Sequence, residues 1–396
     1  MKFGVILHKI TRNMGDEIQT YAAAKLLPQV DYVIVREDTS SFQSEQNEPV
    51  AVIMAAWWLW EKWNWPPAEC IIPKLVSMHI NNYTIERRGT PVGDEWLKGI
   101  GGEFLRKYGP IGLRDQSSLD FFLERGFDSY FSGCITLTLP KQKKTEDAGT
   151  YVCIVDLNEE LEQAACEILK DSGLEIRRLT HDCDYRKSDE PFEERMARVE
   201  SLLTQYQNAK CVVTRRLHVA LPCLAMEVPV LSVVDMNDEG NQTRWNPYSD
   251  WIHFVSDEDF ASGNFDYDFL QPPENKDAYR KVRETLTKEI KDFVEEMERC
   301  DLPLGQLKKT TYTKEEAKDW QFDLMRSTLD KWLHQNRILQ RQIEKMHKKE
   351  IRGLKKQWEK EVRKLERQLQ KEIEKGEASL FRIAGRRIKR KLKKQE

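Results

Sequence analysis

One stretch, residues 210–234, KCVVTRRLHVALPCLAMEVPVLSVV, constrains this chain more than any other. Cys211, Val212, Val213 and Thr214 form a short β-branched run of the kind a buried strand has, and Arg215, Arg216 and His218 follow at once. Leu217, Ala220, Leu221 and Leu224 then mark an apolar face at helical spacing. Pro229 opens a second apolar run through Val234. Strand, short helix and strand make a βαβ-like unit. Open parallel sheets bind ligands outside the carboxyl ends of their strands, near helix N-termini. An anion there would meet two guanidinium groups, a titratable imidazole and free helix N–H groups. An arginine after a strand also pairs often with a nearby carboxylate, and a helical histidine is often a packed one. Residue chemistry leaves both readings open.

The 396 residues allow two domains of ordinary size and a tail. Charge divides them sharply. Residues 331–396 hold 23 Lys and Arg against 9 Asp and Glu, a net of +14, whereas the rest holds 40 against 57, a net of −17. An acidic body therefore precedes a basic tail. The eight cysteines are scattered without a C-x-x-C pair, which favours free thiols over a disulfide framework or a zinc site. Residues 1–8 already read as a strand, so no cleavable leader is expected, and no apolar run is long enough to span a bilayer.

Along the chain, a first strand at 2–8 runs into TRNMGDEIQ, a polar loop entering an Ala-rich helix, with Gly15 for a tight turn and Asp16 as expected N-cap. Residues 31–36 and 50–56 read as strands. Trp57, Trp58, Trp60, Trp63 and Trp65 form an aromatic cluster that suits either a core or a sugar platform. Residues 72–80 read as a strand with His79 at its carboxyl end, the place of a ligand-facing residue. Arg114 and Asp115 precede a helix at about 117–125, with Asp115 as N-cap and Arg114 its ion-pair partner or a cleft charge. Gly133 and Cys134, in SGCITLTLP, either bring backbone N–H groups to a ligand or form a packed turn.

Residues 141–150 read as a linker. Alternating strands and helices follow at 151–157, 159–170, 174–180 and 191–208, which argues for a parallel sheet covered on both faces. The HDCD run at 181–184 lacks ligand geometry and reads as a loop. Residues 241–251, with Arg244, Trp245, Asn246 and Tyr248, read as a polar-aromatic loop able to hold sugar. Residues 276–299 read as a helix packing back on the first domain. From 314 to about 375 the composition is helical, and Ile351, Val362 and Ile373, Leu354 and Leu365, and Trp358 and Leu369 recur at eleven residues. That period suits a straight or right-handed coil. The end of the chain, 377–396, is basic and amphipathic. Its bulky apolar residues favour an anionic membrane surface over nucleic acid.

TRRLHVALPCLAMEVPVL resembles the signature of the polysaccharide pyruvyl transferase family, an S/T-R-L-H run, a small-residue helix and a G-x-P-V-type strand. Glu227 stands where that family has glycine. NMGDEIQTYAA resembles its N-x-G-D loop, with Lys9, Thr11 and Arg12 bulkier than usual; Arg114-Asp115 and GCITLTL match two further segments. The resemblance covers about residues 1–300. It implies an α/β fold of two Rossmann-like domains facing a cleft in the GT-B-like manner, at 1–140 and 151–300. A long helix or coiled coil at 314–376 and the basic tail lie outside it. It implies transfer from phosphoenolpyruvate to a polysaccharide or its lipid-linked precursor, leaving a pyruvate ketal, with no further cofactor or metal. Arg216 and His218 are then expected at the donor, with His218 as general acid. Arg114, Arg215, Leu217, His79, Asp16, Gly133 and Cys134 are expected to line the site. A nucleotide-sugar glycosyltransferase on the same architecture, or a scaffold acting through its coil, is the alternative. Expected partners are the glycan acceptor, a second copy or another protein on the coil, and the cytoplasmic face of the membrane.

Overall fold

The computed structural model describes residues 1–9, 11–58, 65–80, 92–146, 148–185, 190–301, 303 and 312–374. The basic tail, Trp60 and Trp63 lie outside the described residues. The fold is α/β, with parallel sheets and a C-terminal helical region. In the first half, β1 (Lys2–Leu7), β2 (Tyr32–Val35), β3 (Val50–Ile53) and β5 (Ile71–Lys74) form a parallel sheet in the order β2-β1-β3-β5. Two short parallel pairs continue it. They are β4 (Trp57–Trp58) with β6 (His79–Ile80), and β7 (Ile111–Leu113) with β8 (Ser129–Phe131). The N–H groups of Gly112 and Arg114 bond the carbonyls of Leu75 and Met78, joining β7 to the segment between β5 and β6. The run 72–80 is therefore two strands rather than one, broken where Ser77 takes φ +52°. Helices α1 (Met14–Ala24), α2 (Val92–Trp96), α3 (Gly99–Tyr108) and α4 (Gln116–Leu123) accompany this half.

The second half is a five-stranded parallel sheet. Its strands β9 (Tyr151–Val155), β10 (Glu175–Leu179), β11 (Cys211–Thr214), β12 (Val230–Val233) and β13 (His253–Val255) lie in the order β10-β9-β11-β12-β13. The helices here are α5 (Glu159–Leu169), α6 (Phe192–Asn208), α7 (Leu217–Met226), α8 (Glu239–Trp245), α9 (Asp257–Ser262) and α10 (Tyr279–Arg299). The βαβ reading of 210–234 is β11, α7 and β12, with Val213 in register with Leu231.

Alternate strand residues enter different cores, as the pleat requires. Phe3, Val5, Cys153 and Val155 belong to a cluster that also takes in α1, α6, α7 and α10. That cluster draws on both sheets. Ile6, Val50 and Val52 face a second cluster, built on Trp58, Trp65, Trp96 and Phe104. Val152, Ile154 and Val213 face a third, under α5 and α9. Polar ties reinforce the shared core. Met14 N–H donates to the His181 carbonyl at 2.8 Å, and Cys183 N–H to that of Arg12 at 3.1 Å. Arg195 donates to Glu17 through Nε at 2.9 Å and through its terminal nitrogen at 2.5 Å, fully buried, and also reaches the His8 carbonyl. The stretch 141–150 is bonded to the end of α6, Gln142 N–H to the Gln207 amide and Thr145 N–H to that of Asn208. Both sheets lie in one compact unit, Met1–Ser327, and Thr328–Glu396 is a second.

Of the three described tryptophans of the cluster, Trp58 and Trp65 are core. Trp65 stacks on Trp96 with ring centres 4.0 Å apart, and Trp58 packs edge-on to Trp65. The expected polar-aromatic loop at 241–251 is instead the end of α8 and a following turn, with Trp245, Tyr248 and Trp251 buried and Arg244 and Asn246 exposed. α10 packs on the first half, where Glu289 meets Tyr130 and Lys74. The last helix, α11 (Lys314–Glu374), has 61 residues. Its first turns belong to the first unit, and Trp320 packs over Gly99 and Gly101 of α3.

Candidate active site

The carboxyl ends of β1, β7, β9, β10 and β11 deliver His8, Arg114, Asp156, Thr180 and Arg215 respectively. α1 and α7 begin there as well. Asn13 caps α1 by accepting from Gly15 N–H at 3.0 Å, so the cap is Asn13 and not Asp16. Asp16 instead sits in the first turn, where its carboxylate accepts from Thr11 Oγ1 at 2.6 Å. α7 begins after Arg216, whose side chain makes no cap. The first turn of α7 thus has no side-chain cap, and Val219 N–H bonds the Arg216 carbonyl at 3.0 Å. Pro222, inside α7, supplies no N–H for the carbonyl of His218.

His218 lies where the two helices meet. A Cβ on Gly15 would come within 2.7 Å of the His218 Cβ and 2.8 Å of its Nδ1, so only glycine permits this approach. The imidazole is 6% exposed, and neither ring nitrogen has a hydrogen-bond partner among the described residues. Burial first, then Arg114, Arg244, His181 and His79 around it, push its pKa well below 6.5. The uncharged ring thus sits in a positive field.

Arg114 is buried and bonds the side-chain carbonyl of Gln19 in α1, while its own carbonyl accepts from the Tyr248 hydroxyl. It forms no ion pair with Asp115 among the described residues. Asp115 caps α4 through Ser118 N–H at 2.8 Å and holds His79 Nδ1 at 2.5 Å. Burial alone would raise the Asp115 carboxyl; His79, Ser118 N–H and Arg114 together hold it below its ordinary value. Burial lowers His79 despite that carboxylate. The Trp57 ring meets the imidazole edge-on at 4.8 Å. Trp57 is thus the described tryptophan of the cluster at 57–65 that borders the site.

Other expected residues are placed differently. Arg216 donates to Asp156 and to Asp182, each at 2.9 Å, and Arg215 pairs with Asp257 at 2.8 Å. Both arginines are tied to carboxylates of the second half. Leu217 is a core residue, and Cys134 is fully buried. Gly133 takes φ +72°, and a Cβ there would meet Val282 of α10 at 2.8 Å. His181, read as part of a loop, is buried against Tyr206 at 2.9 Å and contributes to the field at His218. Arg244 and Tyr248 come from the stretch read as a sugar-holding loop, whereas Gln19 and His181 join the site from positions that no spacing rule marks. Arg244 reaches it because α8 packs beside α4.

An orphaned imidazole, two arginines and two helix N-termini thus converge at the carboxyl edge of parallel strands. The polysaccharide pyruvyl transferase family model matches residues 13–235, from the Asn13 cap to the end of the βαβ unit. This chain belongs to the polysaccharide pyruvyl transferase family. Its reading as a transferase of that class follows from the family. Among curated proteins none matches. Two solved structures are distantly similar. An uncharacterized protein of Klebsiella pneumoniae subsp. pneumoniae has 14% identity over 64% of this chain and 92% of its own, with a TM-score of 0.36. The E. coli heptosyltransferase WaaC with ADP has 14% identity over 75% of this chain and 99% of its own, with a TM-score of 0.29. Within the family pattern, Glu227 ends α7 in the left-handed conformation, φ 56° and ψ 42°, which glycine would take without strain. Its carboxylate is held by Lys141 and Arg280.

Proposed function

We propose that this pyruvyl transferase family member moves the three-carbon unit of phosphoenolpyruvate onto two hydroxyls of a polysaccharide or its lipid-linked precursor, forming a pyruvate ketal and releasing phosphate. The observation that carries the reading is the buried imidazole of His218, without a partner among the described residues, lodged on Gly15 in the field of Arg114 and Arg244. A buried polar group without a partner costs about 1–3 kcal/mol. A ligand that completes its hydrogen bonds removes that cost. Donor carboxylate and phosphate match guanidinium forks and helix N-termini.

The same field gives the proton its timing. The field and burial hold His218 uncharged; an anionic donor reverses the local potential and favours the imidazolium. His218 then protonates the methylene carbon, and an oxocarbenium-like centre forms at the adjacent carbon. One acceptor hydroxyl adds there. The carbon–oxygen bond to phosphate breaks, and the second hydroxyl closes the ketal. Of the two hydroxyl protons, one balances the proton gained by the methyl group and the other leaves with phosphate. His79, with Nδ1 bonded to Asp115, keeps Nε2 as an acceptor for a hydroxyl proton.

The test is phosphate release from phosphoenolpyruvate with a depyruvylated glycan, read beside mass spectrometry of the product. Equimolar phosphate and ketal are expected, as is a thermal shift with phosphoenolpyruvate. Stabilisation by nucleotide sugars but not by phosphoenolpyruvate would overturn the reading in favour of a glycosyltransferase.

A further inference from the structure

The apolar row of α11 changes its spacing along the helix. Phe322, Leu329, Asn336 and Ile343 stand seven residues apart, with Met325, Trp332, Leu339 and Met346 three residues after each. These are a and d positions of four heptads. After Met346 the row steps to Ile351 and continues by three, four and four: Leu354, Trp358, Val362 and onward. Phe322, Leu329, Leu339, Met346, Leu354 and Trp358 are exposed on the single chain. The one polar a position is Asn336, and its side-chain nitrogen is buried without a partner among the described residues.

The flanks of the row identify what covers it. The g positions are Gln321, Thr328, Gln335 and Gln342, and the e positions are Arg326, Leu333, Gln340 and His347. In a parallel, in-register pair each g meets the following e of the other strand. The four pairs are Gln–Arg, Thr–Leu, Gln–Gln and Gln–His, none of which joins two like charges. Apart from Arg326 at e, the charged residues of these heptads fall elsewhere: Asp323, Asp330, Arg337 and Glu344 at b, Lys331 and Lys345 at c, Arg341 and Lys348 at f. A highly charged helix has thus kept repulsion off the seam where a second copy would lie. Parallel pairing also sets Asn336 against its own counterpart, where amide can bond amide. An antiparallel pair sets a against d, and Asn336 would then face an apolar side chain. A single a-position asparagine fixes register in this way, at some cost in stability.

We infer that the occupant is a second copy of this chain. The two α11 helices pair parallel and in register, left-handed along the heptads and unwinding where the eleven-residue spacing begins. Asn336 sets the alignment. The pairing is independent of the reaction proposed for the catalytic half.

Sedimentation of the full-length protein at low micromolar concentration tests the pairing, and a dimer is expected. Leu339→Cys, oxidised, should give a covalent dimer that neither the parent nor the outward-facing Arg341→Cys forms. Leu339→Asp with Ile343→Asp should sediment as a monomer with the near-ultraviolet dichroism of the body unchanged. A monomeric parent, or a dimer that survives the double substitution, overturns the inference. A dimer in which Leu339→Cys fails to cross-link overturns the parallel register.

Discussion

At the residue scale, the site turns on where each cation is spent. Arg216 and Arg215 hold carboxylates of their own half, whereas Arg114 is held by a neutral amide and keeps its charge for the site. Arg114→Lys should raise the phosphoenolpyruvate KM about tenfold or more, since an ammonium cannot reproduce a guanidinium fork. Arg216→Lys should instead lower stability by about 1 kcal/mol, a partly exposed pair being screened by solvent, and leave KM nearly unchanged. A raised KM at unchanged stability would return Arg216 to the donor. His218→Ala should slow turnover about a hundredfold or more, the usual scale for losing a general acid or base. The fold should be kept, with Tm lowered only by the small cavity that the lost ring leaves. A general acid works below its pKa, and bound donor raises that pKa. The alkaline fall of kcat should therefore lie at higher pH than that of kcat/KM. Coincident limbs would remove the proton role from His218.

At the element scale, α7 carries both His218 and a departure from the family pattern at its C-terminus. Glu227 sits in a left-handed conformation that costs a side chain about 1–2 kcal/mol. Its ion pairs with Lys141 and Arg280 are largely exposed and return at most about 1 kcal/mol. Glu227→Gly should hence leave Tm unchanged or slightly raised by calorimetry. A fall of several degrees would show that the carboxylate matters more than the strain. α1 matters for a different reason. Its N-terminus is pinned between Gly15 against His218 and Glu17 against Arg195, so one helix fixes the two halves together.

At the scale of the whole molecule, several buried histidines link folding to pH. Burial lowers His181 to about 4 and His8 to about 3, from an ordinary 6.5. The unfolded chain therefore binds protons that the folded chain refuses between pH 6.5 and about 4. Stability should fall as pH drops through that window, by up to about 1.4 kcal/mol per pH unit for each such histidine. Urea unfolding at pH 7.5, 6 and 5 measures this, and a flat profile would contradict it. No helix among the described residues is long and apolar enough to cross a membrane. The basic sequence after Gly376 nevertheless suits an anionic surface, at about 1 kcal/mol per cation. Cutting there should release the protein from anionic vesicles at low salt while activity on a soluble acceptor persists. Equal sedimentation of cut and whole protein would leave the coil as the sole partner surface.

The sequence by itself determined what is local. The βαβ unit at 210–234, the Asp115 cap, the long terminal helix and the family resemblance all rest on short-range patterns of apolar spacing and cap chemistry. Tertiary structure alone decided which charges meet. Arg216 and Asp156 lie sixty positions apart, and Asp115 finds His79 rather than adjacent Arg114. It also decided that Trp65 is core, since only folding stacks it on Trp96. And it decided that two sheets share one core, because burial sums apolar faces from the entire chain. No local period records that sum.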